Sequence, residues 1–288
     1  MTRKANVGRV QASCGWRKNY SMTNEESKTK VGESGRTKRF YSNRSVIVQP
    51  NQTEFARTAA GMIVAASLIS IEQRGAFNIA LAGGSTPGPV YELLAADSEI
   101  DWSRCNIFWS DERCVPPDHA ESNYRLARET LLDRLPHGPR LVARMEGELP
   151  PEKAAAAYEK VIRETVPAEE AGIPRLDLNL LGMGDDGHTA SLYPGSKALQ
   201  VTDRLVAADY VGKFDAFRLT FTYPLINAGR HVLIMVSGAS KADTLHRVLN
   251  GPPQPHVFPV QGVQPTSGQF RWLVDAAAVQ STRQLNRA

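Results

Sequence analysis

Cysteines and long apolar runs are scarce in this sequence. Only three cysteines occur, Cys14, Cys105 and Cys114, and they are not grouped with histidines as a zinc site requires. We therefore expect no metal site, and we expect the reducing environment of the cytoplasm. The nearest approach to a membrane span, residues 59–71, is interrupted by a glycine and two serines. A bilayer requires a run of about 18 apolar residues, so no membrane association is expected.

The body of the chain also lacks an excess of positive charge. The formal net charge is +4, yet residues 1–40 contain ten Lys or Arg against three Glu. Without that surplus of seven the remainder carries −3, and no nucleic-acid partner is expected. Residues 1–42 are predicted to be a disordered basic tail, since they have little apolar surface to offset the entropy of ordering. A transit peptide and a plain solvated tail both fit their composition. Residues 43–288 are predicted to form one domain.

From residue 45 onward, short apolar segments alternate with helix-length segments. This alternation is typical of parallel strands joined by crossover helices, so the predicted fold class is α/β. Asn51 is expected to cap the first helix and Gly75 to end it. Strands are predicted at residues 46–48, 77–82, 106–109, 176–181, 205–208, 231–236 and 271–274, and further helices at residues 87–96, 123–135, 151–166 and 240–249.

Polar residues follow two of these strands directly. In open parallel sheets, ligands bind beyond the carboxyl ends of the strands. Residues 83–87, a glycine-rich turn before a helix, have backbone N–H groups suited to an anion such as phosphate, although a plain tight turn fits equally. After the strand at 106–109, Arg113 can grip phosphate with its planar fork, and Asp111 can orient Arg113 or a substrate hydroxyl. Simple solvation is the alternative for both charged residues.

A third segment, residues 182–191, follows the most apolar strand and holds three glycines and two aspartates. Its letters match a dinucleotide-binding fingerprint, but Pro194 and Gly195 interrupt it before a long helix can form. A catalytic loop fits better, because a histidine exchanges protons near neutral pH and an aspartate can orient it. His188 and Asp186 are the candidates.

Two further cations and a proline-rich stretch complete the candidates. Arg218 lies in an apolar segment, and Lys241 follows the strand at 231–236. Lys241 is predicted in the first turn of a helix, where the dipole repels a cation. It either points into solvent or accompanies a bound anion. Residues 251–268 are predicted to be a surface loop, with a role in substrate preference or subunit contact as the alternative.

Taken in order, GGSTP, SDER, LGMGDDGHTASLYP and SGASK resemble the motifs of the 6-phosphogluconolactonase family, over about residues 46–278. The resemblance implies a Rossmann-like, three-layer fold with a mainly parallel sheet flanked by helices and no bound nucleotide. It also implies hydrolysis of 6-phospho-D-glucono-1,5-lactone to 6-phospho-D-gluconate, a step of the oxidative pentose phosphate pathway. No cofactor is implied, and the expected partner is a phosphosugar lactone bound by a cytoplasmic monomer or homodimer.

The resemblance also implies roles for individual residues. His188 is the proposed general base and Asp186 its orienting carboxylate. The substrate phosphate is expected at Gly83, Gly84, Ser85, Thr86, Arg113 and Lys241, with Asp111 and Arg218 as possible further contacts. The related glucosamine-6-phosphate deaminases carry an acid five residues past the histidine, where this chain has Tyr193. A deaminase or isomerase, and a catalytically silent sugar-phosphate-binding protein, are the alternative functions.

Overall fold

The computed structural model describes residues 44–169 and 172–280, so the predicted tail at residues 1–42 lies outside the described residues. The helices are α1 Gln52–Arg74, α2 Gly88–Ala95, α3 Asn123–Thr130, α4 Pro151–Thr165, α5 Tyr223–Ala228 and α6 Ala242–Asn250. The strands are β1 Arg44–Gln49, β2 Phe77–Leu81, β3 Cys105–Trp109, β4 Asp111–Arg113, β5 Leu141–Val142, β6 Leu178–Gly182, β7 Val206–Val211, β8 Ala216–Phe221, β9 His231–Val236 and β10 Gln269–Asp275. The chain thus alternates between strands and helices as predicted.

Seven of the strands form one parallel sheet, in the order β1-β10-β9-β6-β2-β3-β5. Every residue of β2, β3 and β9 is buried. A strand that is apolar and buried on both faces must be covered by helices on both sides. The predicted α/β class and the mainly parallel sheet flanked by helices are therefore confirmed. The two-residue strand β5 was not predicted, because two residues carry no periodicity.

Three strands form a second, antiparallel sheet in the order β4-β8-β7. The segment at residues 205–208, predicted as one more strand of the parallel set, belongs to this sheet instead. Helix α4 holds the sheet in place through Glu159, whose Oε2 accepts hydrogen bonds from the backbone N–H of Leu205 at 3.0 Å and of Val206 at 3.3 Å. The predicted sheet was wrong because the sequence of a single apolar segment does not show which strand it pairs with.

Helix α1 matches its predicted ends. The Asn51 side chain accepts a hydrogen bond from the Glu54 N–H at 2.9 Å, and Gly75 ends the helix in the left-handed conformation with φ 76°. Among the described residues, α1 is the one helix long and apolar enough to cross a membrane, and 56% of its most apolar window is buried within the protein. Because it packs against β1, β2 and β10, its apolar side chains lie in the core.

Two predicted helices are shorter than expected. The helix predicted at residues 123–135 stops at Thr130, where Leu131 turns away with φ −129° and ψ −67°, and a short 3-10 turn, Leu132–Arg134, follows. Leu131 is completely buried, so its packing overrides continuation of the helix. The helix predicted at 240–249 begins at Ala242, after a 3-10 turn at Ala239–Lys241.

The proline-rich stretch at residues 251–268 is not a plain surface loop, and that prediction is wrong. A short 3-10 helix, Pro259–Gly262, runs through it, and Phe258, Val260 and Val263 are buried in the main core. The backbone N–H of Val260 donates a hydrogen bond to the carbonyl of Gly187 at 2.9 Å. The stretch therefore packs beneath the loop that follows β6. Prolines had suggested exposure, but the apolar residues between them decide the packing.

Candidate active site

The four polar segments singled out in the sequence lie along one edge of the main sheet. They follow β2, β3, β6 and β9, which are consecutive neighbours in the order β9-β6-β2-β3. Because these strands are parallel, their carboxyl ends meet at the same edge, where ligands bind in open α/β sheets. The topology thus brings together residues as distant in sequence as Gly83 and Lys241.

The glycine-rich turn after β2 is fitted closely to the segment after β3. A Cβ atom on Gly83 would lie 1.8 Å from Oδ1 of Asn123, and Gly84 adopts φ 86°. The Asn123 side chain in turn donates to the Asp111 carbonyl at 2.9 Å. Gly84 and Ser85 are exposed, Thr86 is half-buried, and no side chain caps the start of α2. An exposed turn before an uncapped helix start is the kind of backbone that favours an anion.

The segment after β3 holds two buried carboxylates with different tasks. Asp111 accepts a hydrogen bond from the Ser191 hydroxyl at 2.7 Å. It therefore contacts the loop after β6, and not Arg113, which had been one of its two expected partners. Glu112 accepts from the Asn123 N–H at 2.7 Å and from the Tyr124 N–H at 2.8 Å. Glu112 thus caps α3, a role that sequence reasoning missed because the helix lies eleven residues further on.

Arg113 and Arg218 are opposite each other on β4 and β8. Arg113 donates to the carbonyl of Glu121, and the buried Arg218 donates to the carbonyl of Phe217 at 3.2 Å. Within the described part of the chain, neither guanidinium forms an ion pair with a carboxylate. Arg218 also lies opposite Asp209 on β7. Two neighbouring guanidinium groups that form no ion pair in the described part of the chain favour binding of an anion, for which they supply planar, charged donors.

His188 and Asp186 form a close pair in the loop after β6. Nδ1 of His188 lies 2.5 Å from Oδ1 of Asp186, and the same oxygen accepts from the His188 backbone N–H at 3.1 Å. A carboxylate oxygen beside Nδ1 favours the neutral tautomer that carries its proton on Nδ1, in which Nε2 is the proton acceptor. No α-helix follows within residues 182–196, which argues against a dinucleotide-binding turn.

The electrostatics keep the Asp186 carboxylate charged. Burial alone would raise its pKa, but the hydrogen bond and charge of His188, the His188 backbone N–H and the Lys213 ammonium together hold that pKa well below the usual range. The His188 ring lies against Tyr193, with ring centroids 4.2 Å apart. Burial raises the pKa of the Tyr193 hydroxyl, which therefore stays neutral at physiological pH.

Lys241 was predicted either to point into solvent or to accompany a bound anion. In the structure it has a carboxylate partner within the protein. Its Nζ forms an ion pair with Oδ1 of Asp185. Ser240 also reaches the Asp185 carboxylate, at 3.4 Å, and Thr244 donates to the Asp185 carbonyl at 2.5 Å. The two aspartates of the loop are thus divided, Asp185 toward Lys241 and Asp186 toward His188. A carboxylate partner for Lys241 had not been expected, because the two residues are far apart in sequence.

Fold and site together define an α/β enzyme with a histidine–aspartate pair and two adjacent arginines that form no ion pair with any residue the structure describes. A profile of the family described as glucosamine-6-phosphate isomerases/6-phosphogluconolactonase matches residues 50–272. A 6-phosphogluconolactonase from Nostoc sp. is 41% identical over 239 residues, which cover 82% of this chain and 97% of the relative. One from Synechocystis sp. is 42% identical over 216 residues, covering 74% and 88%.

Solved structures agree with these relatives. The chain is similar to the structure of 6-phosphogluconolactonase from Trypanosoma cruzi, with a TM-score of 0.75 and 29% identity, covering 85% of this chain and 98% of that one. The chain belongs to the glucosamine-6-phosphate isomerase/6-phosphogluconolactonase family, and it is a lactone hydrolase of that family.

Proposed function

We propose that the protein hydrolyses 6-phospho-D-glucono-1,5-lactone to 6-phospho-D-gluconate, with His188 as general base. The observation that carries the proposal is the grouping of charged side chains around Tyr193. Its ring packs on His188 of the His188–Asp186 pair, and the charges of Arg113 and Arg218, on the antiparallel sheet, also act on it. One end of the site is suited to proton transfer and the other to a dianionic phosphate. A phosphorylated lactone needs both.

The chemistry follows from the state of the His188 ring. Nε2 removes a proton from a water molecule as the water oxygen bonds to C1 of the lactone, and the Asp186 carboxylate stabilises the imidazolium that forms. The ring bond between C1 and O5 then breaks, and the imidazolium returns its proton to O5, which becomes the C5 hydroxyl. The carboxylic acid formed at C1 releases one proton to solvent to give 6-phospho-D-gluconate, so atoms and charge balance with water as the co-reactant. A general base of this kind contributes about a hundredfold to ten-thousandfold to the rate.

Substrate binding is assigned to cations and backbone N–H groups along the edge. Arg113 and the turn formed by Gly83, Gly84, Ser85 and Thr86 are proposed to hold the phosphate, with Arg218 beside Arg113 as a third donor group. Lys241 is proposed to bind the phosphate with them. Its ion pair with Asp185 then rearranges or is shared on binding. Asp111 is proposed to act through Ser191, which it fixes by a hydrogen bond.

The test measures the decay of freshly generated 6-phosphogluconolactone, coupled to 6-phosphogluconate dehydrogenase and compared with the spontaneous rate. We expect fast turnover by the wild type and a loss of at least about a hundredfold in His188→Ala. His137→Ala, which changes an exposed histidine, is the matched control and should retain full activity. Full activity of a folded His188→Ala variant would remove His188 from the mechanism.

The same preparation separates the alternative functions. Tyr193, which packs on the His188 ring, occupies the position of the deaminase carboxylate, so glucosamine-6-phosphate should release no ammonia. Ammonia release at a rate near that of lactone turnover would favour a deaminase. Tight binding of 6-phosphogluconate without any acceleration of lactone loss would favour a silent binding protein.

We also propose a cytoplasmic enzyme, monomeric or homodimeric, whose catalytic domain is residues 43–288 and which needs no metal or cofactor. Among the described residues, no group of three or more His, Cys, Asp or Glu is placed to hold a metal ion. Residues 1–42 precede the matched family region, which begins at residue 50. Deletion of residues 1–42 should leave kcat/KM unchanged, and a large loss of turnover would give the tail a catalytic role.

A further inference from the structure

A third charged group, Lys213, contacts the histidine–aspartate pair. Lys213 lies at the tip of the hairpin between β7 and β8, and its Nζ lies 3.3 Å from Oδ2 of Asp186. Oδ1 of the same carboxylate faces Nδ1 of His188 at 2.5 Å. The carboxylate therefore bridges the imidazole and the ammonium, one oxygen to each. The proposed hydrolysis uses His188 and Asp186 and leaves Lys213 without a role.

The backbone at Lys213 is held by the packing of its neighbour Phe214, while the lysine side chain is 62% exposed. The Phe214 ring meets the Tyr193 ring edge to face, with centroids 5.6 Å apart. On the phosphate side, the guanidinium carbon of Arg218 lies 5.2 Å from the centre of the same ring. The turn itself is closed by a hydrogen bond from the Phe214 N–H to the Val211 carbonyl at 2.9 Å. An exposed lysine pair ordinarily contributes little because both side chains move. Here the backbone that carries the lysine is held between the two halves of the site.

We propose that Lys213 is a positioning residue for the proposed base. Its ammonium holds the Asp186 carboxylate with Oδ1 toward His188. Its positive charge also offsets part of the negative charge that the imidazole faces. This inference rests on the proposed function, since it concerns the same histidine.

The charges around the pair explain why Lys213 matters. Tyr193, which is neutral, and Lys213 contact the pair directly. Asp185 is adjacent in sequence but is paired with Lys241. The more distant charged groups, around Tyr193, are Arg113, Arg218 and Asp111. Lys213 is the one ammonium in direct contact with Asp186 among the described residues. Without it, the imidazole faces a full carboxylate charge, its protonated form is stabilised, and less of the neutral base remains at a given pH.

The test is the pH dependence of kcat/KM between about pH 5 and 8, the range in which an imidazole titrates. For Lys213→Met we expect the acid limb to move upward by about half a pH unit, which is the effect of removing one nearby charge in a partly solvated site. Below the limb, kcat/KM should fall about threefold by that shift alone. Lys213→Arg should restore the wild-type limb. Lys160→Met, which removes an exposed lysine paired with Glu164 at 3.8 Å on α4, is the matched control and should follow the wild type.

Other results overturn the inference in distinguishable ways. A folded Lys213→Met variant with an unshifted acid limb would contradict it, whether or not KM rises, since a rise in KM alone marks a substrate contact. Lys213→Gln provides a second, polar variant if Lys213→Met does not fold, and it is judged by the same limb. His188→Ala is measured in parallel. If His188→Ala keeps full activity, the proposed base fails and this inference with it. If His188→Ala is inactive while the limb of the lysine variants is unshifted, this inference alone fails.

Discussion

The ring of His188 occupies the space that a side chain at Gly184 would need. A Cβ atom on Gly184 would lie 2.0 Å from both Cε1 and Nδ1 of the ring. Gly184→Ala should therefore displace the ring from Asp186 and lower kcat/KM by about a hundredfold, the cost of misplacing a catalytic group by about 1 Å. Gly182→Ala is the matched control, because a Cβ there meets nothing within 4 Å. Steady-state kinetics and circular dichroism check both variants, and equal activity of the two would show that the ring tolerates the displacement.

At this scale, sequence reasoning identified residues whose partners are close along the chain. His188 and Asp186 are two residues apart, so their pairing was visible in the sequence itself. Ser191 and Asp111 are separated by 80 positions, and Lys213 and Asp186 by 27. Such contacts depend on how loops from different strands meet, and a single sequence carries no signal for that. The same holds for the division of the two neighbouring aspartates between different cations.

At the scale of elements, the stretch after α6 supports the loop that carries His188. Phe258 is 6% exposed, and its Cδ1 lies where a Cβ on Gly187 would come within 2.7 Å. Phe258→Ala should lower the free energy of unfolding by roughly 3 kcal/mol, as is common for a buried aromatic ring. It should also lower kcat/KM, because the loop that carries His188 loses the side chain on which it packs. Phe217→Ala, at a ring that is 41% exposed, is the control. Urea unfolding monitored by fluorescence, together with kinetics, separates the two effects.

The elements that sequence reasoning predicted are those with their own local signals. The first helix had a capping residue at one end and a glycine at the other, and both matched the structure. The buried strands of the parallel sheet were marked by short, mostly apolar segments. Strand β8 carries Arg218 and Thr220 among apolar residues and pairs in an antiparallel sheet. The polar and apolar residues of β8 alternate because one face of the strand lines the site and the other faces the core. Neither environment can be inferred from the sequence of the strand alone.

At the scale of the whole molecule, the two ends of the parallel strands differ in their electrostatics. The carboxyl ends carry the site, whereas the amino ends carry arginines paired with carboxylates, such as Arg74 Nε with Asp177 Oδ1 at 2.8 Å and Arg175 Nη1 with Glu169 Oε2 at 2.7 Å. His231 begins β9 at this end and is buried. Burial, with the nearby charges of Arg271, Arg74, Arg230 and Arg175, lowers the pKa of His231 to about 4.

This lowered pKa makes the stability of the fold depend on pH. In the unfolded chain a histidine binds a proton below about pH 6.5, whereas His231 in the folded protein stays neutral down to about pH 4. The unfolded state then binds more protons between these values, so stability is fully present above about pH 6.5 and is lost as the pH falls. We expect a loss of ~2 kcal/mol between about pH 7 and 5 by urea unfolding, and His231→Asn should abolish that part of the slope. His137→Asn, at an exposed histidine, should leave it unchanged. An identical slope in the wild type and His231→Asn would show that His231 takes up its proton without unfolding.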